Sequence, residues 1–337
     1  RNLSYHMNNR LLTIYATCLS EIRVSKRNQA NNRVWSTKSA IMIDKLEMLI
    51  ALSQEQHFGH ASAACNVRQP ALSTAIKQLE GSFGVELVRR GARFKGFTPE
   101  GERVLEWARR IVGDTRVMYQ EIEALKHGLF GHIRIGVIPT ALPLVATLTT
   151  RYLADHPNVR FAIFSQSSDA ILNGLTNLEL DAGLTYLENE PLGQVFTVRL
   201  YEEEYRLLVS SDSPFGKLKK ISWAELGRVP LCLLTADMQN RRIIDRLLHQ
   251  AKAEVIPTLE TNSPTVLYTH VGSGGLATIM PAKAAAVMHF PSKVREIPII
   301  NPTVKYAVGL VVPKREPLPP PIEALAKDVK KFFSQKR

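Results

Sequence analysis

The chain has 337 residues, of which 45% are hydrophobic and 22% charged, and a formal net charge of +12. These values describe a globular protein of about two domains at ~100–200 residues each and exclude a fibrous or low-complexity chain. Its three cysteines (Cys18, Cys65 and Cys232) are too few and too scattered for a disulfide framework or a zinc site, so neither a metal nor another cofactor is expected.

Residues 1–41 carry seven basic side chains (Arg1, Arg10, Arg23, Lys26, Arg27, Arg33, Lys38) against the single acid Glu21, so half the excess charge sits at one end. The segment is Asn-rich and has no sustained apolar period. That predicts a disordered basic extension, or sequence lying ahead of a start at Met42; a basic DNA-binding arm is the functional alternative. Residues 11–20 resemble a signal-peptide core but lack a small-residue cleavage site. The uncharged run 135–150 is broken by Pro139 and Pro143 and is too short to span a membrane. A cytoplasmic protein without membrane association is therefore expected.

The segment 42–97 reads as a winged helix-turn-helix domain. Leu46, Leu49 and Ile50 follow the i, i+3, i+4 pattern of a helix, and a short Ala-rich helix follows at 60–65, where Ala61 and Ala64 permit close packing. After the turn Asn66-Val67-Arg68, a second helix opens at Gln69-Pro70 and buries Leu72, Ile76 and Leu79. Its other face presents Gln69, Ser73, Thr74 and Lys77, side-chain types that reach base edges or phosphates; a merely solvated polar face is the plain alternative. Beyond 81–84 the run 85–97 holds four cations in seven residues (Arg89, Arg90, Arg93, Lys95) among glycines and aromatics. That composition suits a β-hairpin wing against phosphates.

Thr98-Pro99-Glu100 is a helix start with Thr98 as N-cap. The helix is expected to run to about Lys126 within a linker segment 98–128. Val104, Ala108, Ile111, Thr115, Met118, Ile122 and Leu125 repeat at 4-3-4-3-4-3, the spacing of a coiled-coil dimer seam; packing on its own domain is the alternative.

Past a glycine hinge at 128–131, strands and helices alternate. Strands are expected at 133–138, 161–165, 182–186, 205–210, 230–234, 277–280 and 307–312. Helices are expected at 142–155, 170–178, 241–253, 265–272 and 322–333. This rhythm predicts an α/β domain with parallel strands.

Several local runs resemble the LysR-type DNA-binding signature in order and spacing: Phe58-Gly59-His60-Ala61-Ser62, Gln69-Pro70-Ala71-Leu72-Ser73, Leu79-Glu80, 83–88 and Phe97-Thr98-Pro99-Glu100-Gly101. Two positions depart from it. Arg68 stands where a capping Ser or Thr is usual, and Thr74 where a longer side chain is frequent. The resemblance implies sequence-specific binding of double-stranded promoter DNA with Gln69, Pro70, Ser73, Thr74, Lys77, Arg89, Arg90, Arg93 and Lys95. It also implies homodimers assembling into homotetramers, and RNA polymerase as a further partner. For residues 131–337 it implies a periplasmic-binding-protein-like (type II) effector domain of two α/β subdomains, one from about 131–200 with 270–337 and one from about 201–269.

Such a domain would close on a small-molecule effector, commonly a carboxylate or other anion. Thr140, after the first strand, and Ser167 and Ser168, after the second, are its candidate contacts on one side, since helix N-termini favour anions. Gln239, Asn240, Arg241 and Arg242 are the candidates on the other. Plain N-capping by the hydroxyls and an i,i+4 pair of Arg241 with Asp245 are the alternatives. A solute-binding protein would want a signal peptide and no DNA-binding head. An enzyme would want a nucleophile, metal or cofactor motif. Gly272-Ser273-Gly274-Gly275 is too short for a dinucleotide fingerprint, and the histidines lack metal-ligand spacing, so no catalytic activity is expected.

Overall fold

The computed structural model describes residues 42–89, 91, 94–287 and 293–334. It divides into two compact units that meet in sequence at 112–113. The basic segment 1–41, with its expected disorder, lies outside the described residues.

The first unit opens with helix α1 (42–55), followed by α2 (Phe58–Ala64), α3 (Gln69–Phe83) and the start of α4 (Pro99–His127). Leu46, Leu49 and Leu52 of α1 are buried together with Ala61, Leu72, Ile76 and Leu79, as the apolar spacing requires. The turn between α2 and α3 carries Asn66 at φ 53°, a left-handed value that Asn tolerates. α3 ends at Gly84 in the left-handed region, the usual helix stop. The hairpin is closed at its base by the antiparallel bridge Val88–Phe97 and by Arg89 N–H donating to Gly96 O at 3.0 Å. A side-chain β-carbon at Gly101 would stand 2.0 Å from Leu87 O, so this close approach of helix to hairpin requires glycine.

The second unit is built on an eight-stranded sheet. Its strands are β1 (Gly131–Val137), β2 (Val159–Ser165), β3 (Ala182–Tyr186), β4 (Val195–Ser210), β5 (Ile221–Ser222), β8 (Thr278–Pro281), β9 (Val294–Ile300) and β10 (Lys305–Pro313). A separate parallel pair joins β6 (Cys232–Leu234) to β7 (Leu259–Thr261). The helices are α5 (Leu142–Asp155), α6 (Ser168–Thr176), α7 (Gln239–Gln250), α8 (Pro264–Ser273), α9 (Ala282–Val287) and α10 (Pro320–Ser334). No helix among the described residues is long and apolar enough to cross a membrane.

Two expectations are corrected. The sheet is mixed: β1 runs parallel to β2 and β3, but β10 is antiparallel to β3 and β4, and β8 and β9 are antiparallel to β4. The strand expected at 205–210 begins at Val195, and its first half pairs with β10 while its second half pairs with β8 and β9. Tyr201, Glu203 and Tyr205 alternate inward along it, so a buried carboxylate in an apolar slot hides the period of two. β8 and β9 pair with residues 205–210 of β4, and β10 pairs with residues 195–204. β9 itself escaped notice because Pro298 interrupts its apolar pattern.

Candidate functional site

The residues expected to meet nucleic acid lie on α3 and the hairpin after it. Gln69, Pro70, Thr74 and Lys77 are exposed and Ser73 is half-buried, while Leu72, Ile76 and Leu79 lock the opposite side into the core. Arg68 is the N-cap residue and makes no side-chain cap bond, as its identity leads one to expect. Thr74 is exposed, and its hydroxyl donates to Pro70 O at 2.8 Å. Glu80 fixes the hairpin to this helix by accepting from the backbone N–H groups of Leu87 at 2.9 Å and Val88 at 3.2 Å. Phe94 packs edge-on against both Phe58 and Phe97, tying the hairpin to α2 as well. Arg89 and Lys95 are exposed on the hairpin; Arg90 and Arg93 lie outside the described residues. His57 caps α2 through Nδ1, a structural use of that ring.

Thr98 caps α4, accepting from Gly101 N–H at 2.9 Å. Along α4, Ile111, Met118, Ile122 and Leu125 are exposed, Leu125 at 84%. Val104 and Thr115 are half-buried. Ala108, expected on the seam, is fully buried on the side of Leu105 and Val112. Trp107, one position earlier and absent from the heptad reading, is half exposed.

The carboxyl ends of β1, β2 and β3 lie side by side, with Val137 in register with both Ser165 and Leu184. Crevices beyond such strand ends are the usual ligand sites of α/β sheets. Thr140 follows β1 and is 1% exposed, and its hydroxyl has no hydrogen-bond partner. Leaving such a group unpaired costs about 1–3 kcal/mol. Gln166 Oε1, after β2, is likewise buried without a partner. Ser167 caps α6 at Ala170 N–H, which is the plain reading of that serine.

The N-terminus of α7 docks across these strand ends. Ser168 Oγ donates to Gln239 Oε1 at 2.7 Å, Gln239 Nε2 donates to Glu188 O at 3.2 Å, and Asn240 Nδ2 donates to Tyr186 Oη at 3.2 Å. Three expected residues are thereby brought together, Ser168, Gln239 and Asn240, while Thr140 follows the carboxyl end of β1. The two arginines are engaged otherwise. Arg241 pairs with Asp245 at 2.7 Å and with Glu260. Arg242 grips Glu190 through two bonds of 2.7 Å and reaches Asp169 at 3.5 Å, latching the two halves of the domain together.

Beneath Asn240 lies a buried cluster that the sequence did not reveal. Tyr186 Oη donates to Glu203 Oε2 at 2.6 Å, Tyr201 Oη donates to Glu203 Oε1 at 3.2 Å, and Tyr205 Oη lies 3.4 Å from Tyr186 Oη. Burial pushes the Glu203 carboxyl up to about 7, against the lowering effect of the two tyrosine hydroxyls and Lys283. Burial and the nearby carboxylate push the Tyr186 hydroxyl well above its ordinary value. Because Glu203 binds its proton more tightly folded than unfolded, its contribution is intact below about pH 4.5 and is lost as pH rises toward about 7. Glu203→Gln, which imitates the protonated form, is therefore expected to flatten the fall in stability across that window. Its advantage over the native chain at pH 8 should be up to roughly 3 kcal/mol. Denaturant titrations at pH 5 and pH 8 check this, and an equal loss at both values would contradict it.

Comparison with known proteins agrees with both halves. The family described as "Bacterial regulatory helix-turn-helix protein, lysR family" matches residues 43–102, and the one described as "LysR substrate binding domain" matches residues 126–334. The DNA-binding transcriptional dual regulator OxyR of Escherichia coli is 27% identical over 289 residues, 86% of this chain and 94% of OxyR. A probable hydrogen peroxide-inducible genes activator of Streptomyces viridosporus is 30% identical over 247 residues, 72% of this chain and 78% of that protein. Among solved structures, a full-length OxyR variant from Pseudomonas aeruginosa has a TM-score of 0.66 at 25% identity, covering 86% of this chain and 94% of that one. The LysR family regulator CbnR bound to its target DNA has a TM-score of 0.56 at 21% identity, covering 86% and 99%. The chain belongs to the LysR family and is a transcriptional regulator with a helix-turn-helix DNA-binding domain and an effector-binding domain.

Proposed function

We propose that this regulator reads promoter DNA as a homodimer, and that a small molecule held at the ends of β1, β2 and β3 controls it. The observation that carries the effector reading is Thr140, a hydroxyl buried without a partner just after the carboxyl end of β1. The exposed side of α3 supplies the base contacts, Arg89 and Lys95 the phosphate contacts, and the stripe Trp107, Ile111, Met118, Ile122 and Leu125 the dimer seam. Pairs of dimers forming tetramers extend the same reading. DNA as target places the work in the cytoplasm, beside RNA polymerase. The relatives are regulators and not enzymes, and this chain acts in the same way, by binding alone.

The effector class is a small carboxylate or similarly acceptor-rich molecule. With Arg241 and Arg242 already paired, the attraction comes from the N–H groups and dipoles at the starts of α6 and α7. Thr140→Val keeps the side-chain shape and removes the unpaired hydroxyl. It is expected to hold or raise the melting temperature in the absence of ligand while losing the thermal shift given by the best of a panel of small carboxylates. A flat response of the native protein across the panel would sink the anionic reading.

Several relatives are named for induction by hydrogen peroxide. The described cysteines suit that input poorly. Cys232 is fully buried and its thiol is pushed up to about 11 by burial, and burial raises Cys65 as well, whereas peroxide-reactive thiols are accessible and low in pKa.

A further inference from the structure

We infer that a second anion site, separate from the cleft, lies between the C-terminal half of α4 and the sheet and is centred on Arg315. Arg315 follows β10, and its side chain lies against α4 at Gly113, where an added β-carbon would stand 2.5 Å from Nη1. Glycine weakens a helix interior, and here it is the missing side chain that lets a guanidinium lie on the helix backbone. Beside them is a cavity of about 280 Å³, near the small end of ligand pockets. Its wall also carries Arg116 and Gln120 from α4 and His132 and Arg134 from β1.

The negative charge nearby is largely engaged already. Asp181, also in the wall, accepts from Arg134 Nε at 3.1 Å and Nη2 at 2.9 Å, and from the Arg134 backbone N–H at 2.8 Å. Asp114 is the other acid whose charge Arg315 feels, and Arg116 and Arg134 repel it. Arg315 Nε is buried and has no hydrogen-bond partner. A guanidinium withdrawn from water with a donor unmet is unfavourable, and an oxyanion relieves it. Planar guanidinium forks match phosphate and carboxylate oxygens in geometry as well as charge. The occupant is thus a small multivalent oxyanion, a phosphate ester or a di- or tricarboxylate. Bound there, it would fasten the linker helix to the sheet and give the regulator a second input.

Isothermal titration of the full-length protein with inorganic phosphate, and separately with citrate, at constant ionic strength tests the site. Saturable binding of at least one probe is expected, weakened tenfold or more in Arg315→Gln and unchanged in Thr140→Val. Phosphate alone binding would point to phosphate esters, and citrate alone to polycarboxylates. In anion-free buffer Arg315→Gln should melt no lower than the native chain, because it removes an unmet buried charge. No saturable binding of either probe, equal binding by Arg315→Gln, or a markedly lower melting temperature for that variant would each overturn the site.

Discussion

Replacing Met118 and Ile122 together with glutamate is expected to leave the fold intact and turn the protein into a monomer. Both side chains are about half exposed in the single chain, so neither is needed for its own core. In a seam between two copies each would be buried. Burial of an aliphatic side chain of this size stabilises by about 1.5–3 kcal/mol. Only the exposed half of each remains to be buried and two-fold symmetry doubles it, so the double variant forfeits roughly 3–6 kcal/mol before the mutual repulsion of four carboxylates is counted. Without the partner there is no second half-site, which is worth on the order of 10²–10⁴ in apparent affinity. Sedimentation velocity together with circular dichroism checks both halves of the claim. A variant that stays dimeric would move the interface elsewhere.

Replacing Gln69 and Lys77 with alanine is expected to have a comparable effect on DNA binding by a different route. A good side chain to base-edge pair is worth about 1–3 kcal/mol, and a dimer presents each twice, so the double variant should bind at least a hundredfold more weakly. Arg89→Ala and Lys95→Ala should differ in kind. Each should weaken binding to all sequences evenly and reduce the dependence of log affinity on log salt by ~1 for each phosphate no longer neutralised. Fluorescence anisotropy over a series of salt concentrations separates the two behaviours. Unchanged affinity in the Gln69/Lys77 variant would remove α3 as the reading element.

The DNA-binding half was legible because its signals are local. Leu72, Ile76 and Leu79 bury one face of α3, Pro70 opens the helix and Thr98 caps the next, all within hydrogen-bonding reach along the chain. The effector domain was legible only in part. Its βα units at 131–186 showed in the alternation of apolar runs, and Thr140 and Ser168 could be picked out as residues following strands. What could not be read depends on interactions between distant segments. Glu203 looks like one of three consecutive surface glutamates until Tyr186, seventeen residues earlier, is seen to bond it. Arg242 looks like a free cation at a helix start until Glu190 and Asp169 are brought to it. Which face of α4 packs on its own chain is likewise set by distant contacts: Ala108, at a heptad position, is buried beside Leu105 and Val112, while Trp107 is half exposed.

DNase footprinting of the purified full-length protein on the region upstream of its own coding sequence, at low salt, tests the central claim most directly. The account predicts two protected half-sites about one helical turn, or a multiple of it, apart, and their joint disappearance in the Met118/Ile122 double glutamate variant. Absence of protection at low salt, or an undivided footprint unchanged in that variant, would contradict it.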